Sequence, residues 1–390
     1  MRPDQPVLIA GGGIGGLAVA VALAQHGIAA HVLERRTEFS QAGAGIQLSP
    51  NAVRVLERLG VAEPLAPNVG APDAIVVREG RSGRALQRLP LGDWIRQRHG
   101  APYWLAHRRD VQAALLGVAQ AHALIQISTG FDATAIDTSD AARVHLASRA
   151  GQTVEGVALI GADGVFSRVR QHLGSSAAPR FSGLTAARTV LTNDAATTVL
   201  GLDTVGVWLA PGAHVVHYPL RGGRELAVVV ITPATSTGTG WALPTSTSGV
   251  LASLAGFAPV LRDALGRATE WRQWALFELD QPGHWSAGRV TLLGDAAHPT
   301  LPFFAQGGAL ALEDAIVLAD QIAVVGDIAS AFATYETRRM QRTRAVVATA
   351  RRNGRIFHLD GVAAHARNLT LRLLPPERVM ARYDWVYGWP

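Results

Sequence analysis

Three groups of residues in this 390-residue chain have the types and spacing that chemistry requires. The first is Gly11-x-Gly13-x-x-Gly16, enclosing Ile14 and Gly15, which follows the apolar run Val-Leu-Ile-Ala at 7–10. In such a turn one glycine permits the tight bend, one lets backbone approach phosphate oxygens, and one lets helix and strand pack closely, so that a helix N-terminus faces the anion. Glu34 closes the next apolar run and is placed to accept hydrogen bonds from ribose hydroxyls, with Arg35 beside it. This is dinucleotide-binding chemistry, and the turn alone does not tell NAD from FAD. The second group is Asp163-Gly164 and Gly294-Asp295, each following a buried-strand pattern. A carboxylate there can accept hydrogen bonds from a ligand, although either one taken singly is also an ordinary turn or cap residue. The third is His214 and Tyr218. On an extended strand alternate side chains share a face, so His214, Val216 and Tyr218 point one way while Val215 and His217 point the other. A histidine near neutral pKa suits removal of a proton from a bound hydroxyl, but a single strand histidine is more often structural.

The elements that must position these residues follow from periodicity and punctuation. Residues 7–10 and 30–33 read as buried parallel strands, with an apolar helix over 17–26 between them. Ser49-Pro50-Asn51 opens a second helix that Gly60 ends, and residues 110–121 form another. Shorter apolar runs over 73–88, turned at Gly80 and Gly83, signal an excursion into a different sheet. Strands over 124–128, 143–147 and 157–160 return the chain to the first domain. A second excursion over 181–274 carries strands at 205–209, 214–220 and 225–231, the last two joined by a hairpin turn at Arg221-Gly222-Gly223-Arg224. Residues 235–248, rich in Thr, Ser and Gly, read as a surface loop. A buried strand over 289–293 leads to Gly294-Asp295, an apolar helix spans 307–324, and the remainder is helical and arginine-rich up to an aromatic patch at 385–389. No internal repeat is evident.

Composition narrows the classes. A hydrophobic content of 48% supports a large core and two or three domains. With no cysteine there is no disulfide framework, thiolate metal site or cysteine nucleophile. All 36 basic residues are arginine, which excludes lysine Schiff-base chemistry and spreads a permanent charge along the chain. The net charge of +6 forms no basic block with interleaved aromatics, so nucleic-acid binding is not expected. The uncharged stretch over 7–24 is broken by its glycine cluster and reads as strand and helix, not as a membrane span, and a cytoplasmic location is expected by default.

The glycine loop, the segment running from Gly161 through Asp163-Gly164 to Arg170, and the segment from Leu292 through Gly294-Asp295 to Pro299 together resemble the single-component flavin-dependent aromatic hydroxylases, of the salicylate hydroxylase, 3-hydroxybenzoate 6-hydroxylase and 6-hydroxynicotinate 3-monooxygenase kind. The resemblance extends over nearly the whole chain. It implies an α/β fold: a Rossmann-like FAD-binding domain of the para-hydroxybenzoate hydroxylase type (residues 1–72, 101–180 and 275–330), an inserted sheet-containing substrate domain (73–100 and 181–274) and a C-terminal helical segment (331–390). It implies tightly but non-covalently bound FAD, with NAD(P)H as a transient co-substrate, since no second glycine fingerprint is present. Asp163 would touch FAD and the NAD(P)H groove, Asp295 the ribitol, and Arg108 the cofactor. The loop Gly43-Ala44-Gly45-Ile46-Gln47 would lie beside the isoalloxazine, and the amides around Gln306, Gly307 and Gly308 would face its pyrimidine edge. His214 and Tyr218 would serve phenol activation.

The implied reaction uses NAD(P)H and O2 to hydroxylate an electron-rich aromatic substrate, a hydroxybenzoate, hydroxypyridine or phenol, through a hydroperoxide at flavin C4a, in a monomer or homodimer. The alternatives are a flavin epoxidase or an N-hydroxylating or drug-modifying monooxygenase, which would need no phenol base, and more remotely a non-catalytic nucleotide-binding protein. No metal site is expected: His298 has only Asp295 nearby as a second ligand, and it is read as orienting backbone or cofactor. Gln47 and Phe303 stand where 6-hydroxynicotinate hydroxylases carry histidine, which counts against that exact substrate, and Ala187 stands where a larger aromatic or histidine is common, which suggests a wider or drier pocket. The aromatic C-terminus is expected to be packed against protein.

Overall fold

The structure is a computed structural model that describes residues 5–39, 44–174, 177–192, 200–235, 242–279 and 283–390. Its first layer is a six-stranded sheet ordered Ser286–Ala287, Val290–Leu292, Ala158–Gly161, Val7–Ala10, Ala30–Glu34 and Ile125–Thr129. All its pairings are parallel except the hairpin at Ser286–Ala287. Parallel strands bury both faces, which is why Val7–Ala10 and Ala158–Gly161 are continuous apolar or glycine runs and fully buried. Helix Ile14–Gln25 and helix Gly307–Val324 pack on each other beside this sheet. The first is apolar all round because it is buried all round.

The second layer is an eight-stranded sheet, ordered Leu243–Thr245, Trp271–Glu278, Arg180–Thr192, Glu225–Pro233, Ala213–Leu220, Thr204–Ala210, Ala74–Glu79 and Ala85–Pro90. Both excursions of the chain therefore meet in one sheet. They join where Thr204–Ala210 pairs in parallel with Ala74–Glu79. The turn at Arg221–Gly223 joins two antiparallel neighbours, with Gly222 at φ 65°. One expectation is corrected here. Within 235–248, residues 236–241 lie outside the described residues, but Leu243–Thr245 is an edge strand and Ser246 caps helix Thr247–Ser253 by accepting from the Gly249 amide. Polar composition hid these elements because the strand is short and lies at the sheet edge. Strands Ala133–Asp137 and Thr153–Gly156 also flank Val144–Ser148 in a small three-stranded sheet.

The chain ends in helices Ile328–Phe357, Gly361–Leu373, Pro376–Ala381 and Asp384–Tyr387. The aromatic terminus packs on its own chain. Tyr387 meets Tyr103, Tyr383 and His99 at ring-centroid distances of 5.7–6.4 Å. The Arg54 guanidinium donates to the carbonyls of His99, Tyr387 and Trp389, and Arg342 donates to those of Trp385 and Val386. Among the described residues no helix is long and apolar enough to cross a membrane.

Candidate active site

The glycine turn has the geometry its spacing predicts. Gly11 adopts φ 110°, and a Cβ on it would lie 2.5 Å from the Ala162 carbonyl oxygen; a Cβ on Gly16 would lie 1.9 Å from that of Gly11. Those two glycines are dictated by contact between strand, turn and helix. Gly13 differs, because a Cβ there would meet nothing within 4 Å. Its backbone faces open space at the start of a helix, where unpaired amides attract an anion. Glu34 is tied to the same turn: it accepts from the Gly12 amide at 2.8 Å and from the Arg36 amide at 3.0 Å.

Two cavities run from this turn. One, of about 450 Å³, extends past Glu34, Arg35, Asp163 and Gly164; the other, of about 270 Å³, extends past Ile14, Gly15, Gly294, Asp295, Gly307 and Gly308 to the eight-stranded sheet. They share Gly13, Arg108, Ala162 and Gly164, so a single elongated ligand can thread both. The dimension and order fit a dinucleotide with its pyrophosphate over Gly13.

Asp163 is partly a structural residue. One of its oxygens accepts from the Arg168 and Val169 amides at 2.7 and 3.2 Å, capping helix Arg168–His172, while Oδ1 is enclosed without a partner. Burial raises its pKa above the ordinary carboxylate range, against the pull of those hydrogen bonds. Asp295 lies exposed on the wall of the smaller cavity. Its turn is held from behind by Asp314, which accepts from the Gly294 amide at 3.1 Å, His298 Nε2 at 2.6 Å and Arg339 Nε at 2.6 Å. Burial alone would raise Asp314, but His298 and Arg339 outweigh it and bring the pKa down to about 2. His298 is thus a brace behind the cavity, and among the described residues no cluster of three metal-ligating side chains exists.

Gln306 contributes to the cavity through its backbone position alone, as the cap of helix Gly307–Val324. Its side chain turns into the interior, donating to Ser49 Oγ at 2.9 Å and accepting from Asn51 at 3.1 Å. Gly307 and Gly308 line the opening with backbone, and Ala305 just before them holds a left-handed φ of 52°, a strained setting for a residue with a Cβ. Gly45 and Gln47 form the facing wall, Gln47 accepting from the Tyr103 hydroxyl at 2.6 Å; Gly43 lies outside the described residues. Gly45 is required by Tyr218, since a Cβ would fall 2.5 Å from the tyrosine ring.

His214, Val216 and Tyr218 all line the smaller cavity from strand Ala213–Leu220. His217 points to the other face, where it packs over Gly206. The Tyr218 pKa is pushed up to about 12 by burial, with Arg188 opposing. His214 Nδ1 lies 2.8 Å from His358 Nε2, so one hydrogen is shared by the pair and Nε2 of His214 is left for the cavity. The rings of Phe303 and Phe357 enclose it at centroid distances of 5.4 and 5.3 Å. Burial, then His358, lowers the His214 pKa to about 3; burial, then Arg78, does the same to His217.

These histidines predict acid sensitivity. Each titrates near 6.5 when unfolded and near 3 when folded, so between these values the unfolded chain binds more protons. Their contribution is full above about pH 6.5 and drains as pH falls toward 3. A series of melting temperatures across that window is expected to fall with pH, with a shallower slope in His217→Leu; an unchanged slope would contradict this assignment.

Ala187 corrects another expectation. It faces the core on the far side of the sheet, so it does not shape the pocket. Its neighbour Arg188 does line the cavity, and sequence reasoning missed it. The available signal was an arginine inside the otherwise uncharged run over 181–192.

A dinucleotide turn joined to a partly apolar cavity defines a dinucleotide-binding site with room for a second ligand beside it. A family model described as an FAD binding domain matches residues 4–350. The 3-hydroxybenzoate 6-hydroxylase of Polaromonas naphthalenivorans is 38% identical over 99% of this chain and 96% of its own. The 6-hydroxynicotinate 3-monooxygenase of Bordetella bronchiseptica is 35% identical over 89% and 90%. Klebsiella pneumoniae HpxO, solved with FAD and uric acid, superposes with a TM-score of 0.87 at 26% identity, covering 98% of this chain and 96% of that one. The chain belongs to the FAD-dependent aromatic hydroxylase family, and its cofactor is FAD.

Proposed function

We propose that this enzyme hydroxylates a hydroxybenzoate, hydroxypyridine or phenol, with His214 and Tyr218 handling the substrate hydroxyl and NAD(P)H and O2 as co-substrates. The observation that carries this reading is that both side chains face the cavity that also holds the Gly307–Gly308 helix start. Bound FAD supplies the redox chemistry that consumes NAD(P)H and O2 and delivers one oxygen atom to the ring. Gly13 and Arg108 would hold the pyrophosphate, Glu34 and Arg35 the adenosine end, and Asp295 the ribitol. The amides of Gly307 and Gly308 would stabilise negative charge on the cofactor through the positive end of the helix. Asp163 and Gly164 would border the NAD(P)H groove.

His214 is neutral near pH 7, and with its Nδ1 hydrogen donated to His358 it would present Nε2 as the acceptor. It would take the phenolic proton as positive charge develops on the attacked ring, since a base this weak gains most where the phenol is most acidic. His358 fixes the tautomer and Tyr218 orients the ring. In this reading segments 1–72, 101–180 and 275–330 hold the cofactor, 73–100 and 181–274 the substrate, and 331–390 braces both. The enzyme acts in the cytoplasm as a monomer or homodimer.

The test is a panel of hydroxybenzoates, hydroxypyridines and phenols screened for substrate-stimulated oxidation of NADH and NADPH, with product masses. Stimulation and a hydroxylated product from at least one phenolic compound is the expected result. Turnover confined to non-phenolic substrates would replace this reading with an epoxidase or N-hydroxylase.

A further inference from the structure

Among the described residues, the buried arginines Arg170, Arg339 and Arg367 are each paired. Arg339 meets Asp314 and Glu313 at 2.6 and 2.7 Å; Arg170 donates to the Ala296 and Val165 carbonyls; Arg367 donates to Asn368 and two helix carbonyls. Arg188 lines the smaller cavity, its Nε is closed off without a partner, and no carboxylate or carbonyl among the described residues accepts from its guanidinium. It is held over the Trp274 ring at 5.3 Å. Burial pulls its pKa below the ordinary arginine value, Tyr218 opposing and Arg108 adding to the pull. A guanidinium in a low-dielectric site without a counter-charge is costly, and an anion entering the cavity relieves that cost.

Sheet register says where that anion would sit. Arg188 stands opposite Val229, and Val229 opposite Val216, in one row across three strands. His214 and Tyr218 flank Val216 on the same face. With strands about 4.8 Å apart, the Arg188 backbone is about 10 Å from that of Val216, room for one aromatic ring between the side chains that rise from the two strands. The floor between is Val216 and Val229, apolar and flat. A planar fork at one edge and a proton acceptor at the other match a ring bearing a carboxylate and a hydroxyl.

We propose that Arg188 is the substrate-carboxylate anchor, which makes aryl carboxylates bearing a ring hydroxyl the preferred class over neutral phenols. The assignment rests on the hydroxylase reading given above. It names the anionic member of that reading's substrate range and a residue that selects it.

The test compares FAD-loaded wild type with R188Q and R188K, using 3-hydroxybenzoate and its neutral isostere 3-hydroxybenzamide. Dissociation constants come from perturbation of the flavin absorbance, and kcat/KM from product formation. Wild type is expected to favour the acid over the amide by about 100-fold, and R188Q to lose that preference by weakening acid binding, with amide binding and FAD content unchanged. R188K is expected to keep part of the preference, as a point charge without the fork. An acid-to-amide ratio unaltered in R188Q, or acid binding absent from wild type, overturns the proposal. Release of FAD from both variants also overturns it, by making Arg188 a cofactor ligand. Because binding is read without turnover, a wild type that binds the acid through Arg188 yet hydroxylates nothing would sink the hydroxylase reading and leave the anchor standing.

Discussion

His214→Asn is expected to lower kcat on a phenolic substrate by about 100-fold to 10,000-fold, the range a positioned general base contributes, with FAD content unchanged. Asparagine keeps a polar atom where Nδ1 stands, so the contact to His358 at 2.8 Å survives while the cavity-facing Nε2 is removed. The loss should appear in kcat more than in KM, because the proton is taken as the ring is attacked and not when it binds. NAD(P)H oxidation should continue and uncouple, producing hydrogen peroxide in place of hydroxylated product. A variant within threefold of wild type on a phenol would remove His214 from the chemistry and leave it as a packed partner of Phe303 and Phe357.

Asp314→Asn is expected to lower folding stability by about 3–5 kcal/mol, as removal of one partner of a buried ion pair does elsewhere. The carboxylate is fully buried and accepts from Arg339, His298 and the Gly294 amide together. An amide at that position leaves the Arg339 charge half-compensated and presents a donor where three donors already converge. Because Gly294 belongs to the turn that carries Asp295, FAD affinity should fall with stability, although Asp314 does not line the cavity. Urea titration of the FAD-loaded and FAD-free forms separates the two effects. A stability change below about 1 kcal/mol would show that the network is incidental.

What the sequence made legible is what local chemistry demands. Gly11, Gly13 and Gly16 are specified by contacts within one turn, and their spacing alone points to a phosphate-facing helix. Asp163 and Asp295 follow buried strands and could be read wherever those strands lay in the sheet. The strand alternation that separates His214 and Tyr218 from His217 is likewise local. Legibility failed where register or distant packing decides. Ala187 and Arg188 differ by one residue, and one residue moves a side chain across the sheet. Nothing local announces that the Gln306 side chain is claimed by Ser49 and Asn51, more than 250 residues away. The braces from Asp314 to Arg339 and from Arg54 to the C-terminal carbonyls join elements whose proximity no periodicity announces.

On the proposed reading, the cavity beneath His214 inserts an oxygen atom from O2 into an aromatic ring. The most direct measurement is mass spectrometry of the product formed from 3-hydroxybenzoate, NADH or NADPH and ¹⁸O-labelled O2 in unlabelled water by the FAD-loaded protein. One labelled oxygen in a ring hydroxyl is the predicted result. Oxidation of NAD(P)H that yields only hydrogen peroxide, or a product whose new oxygen comes from water, would contradict it.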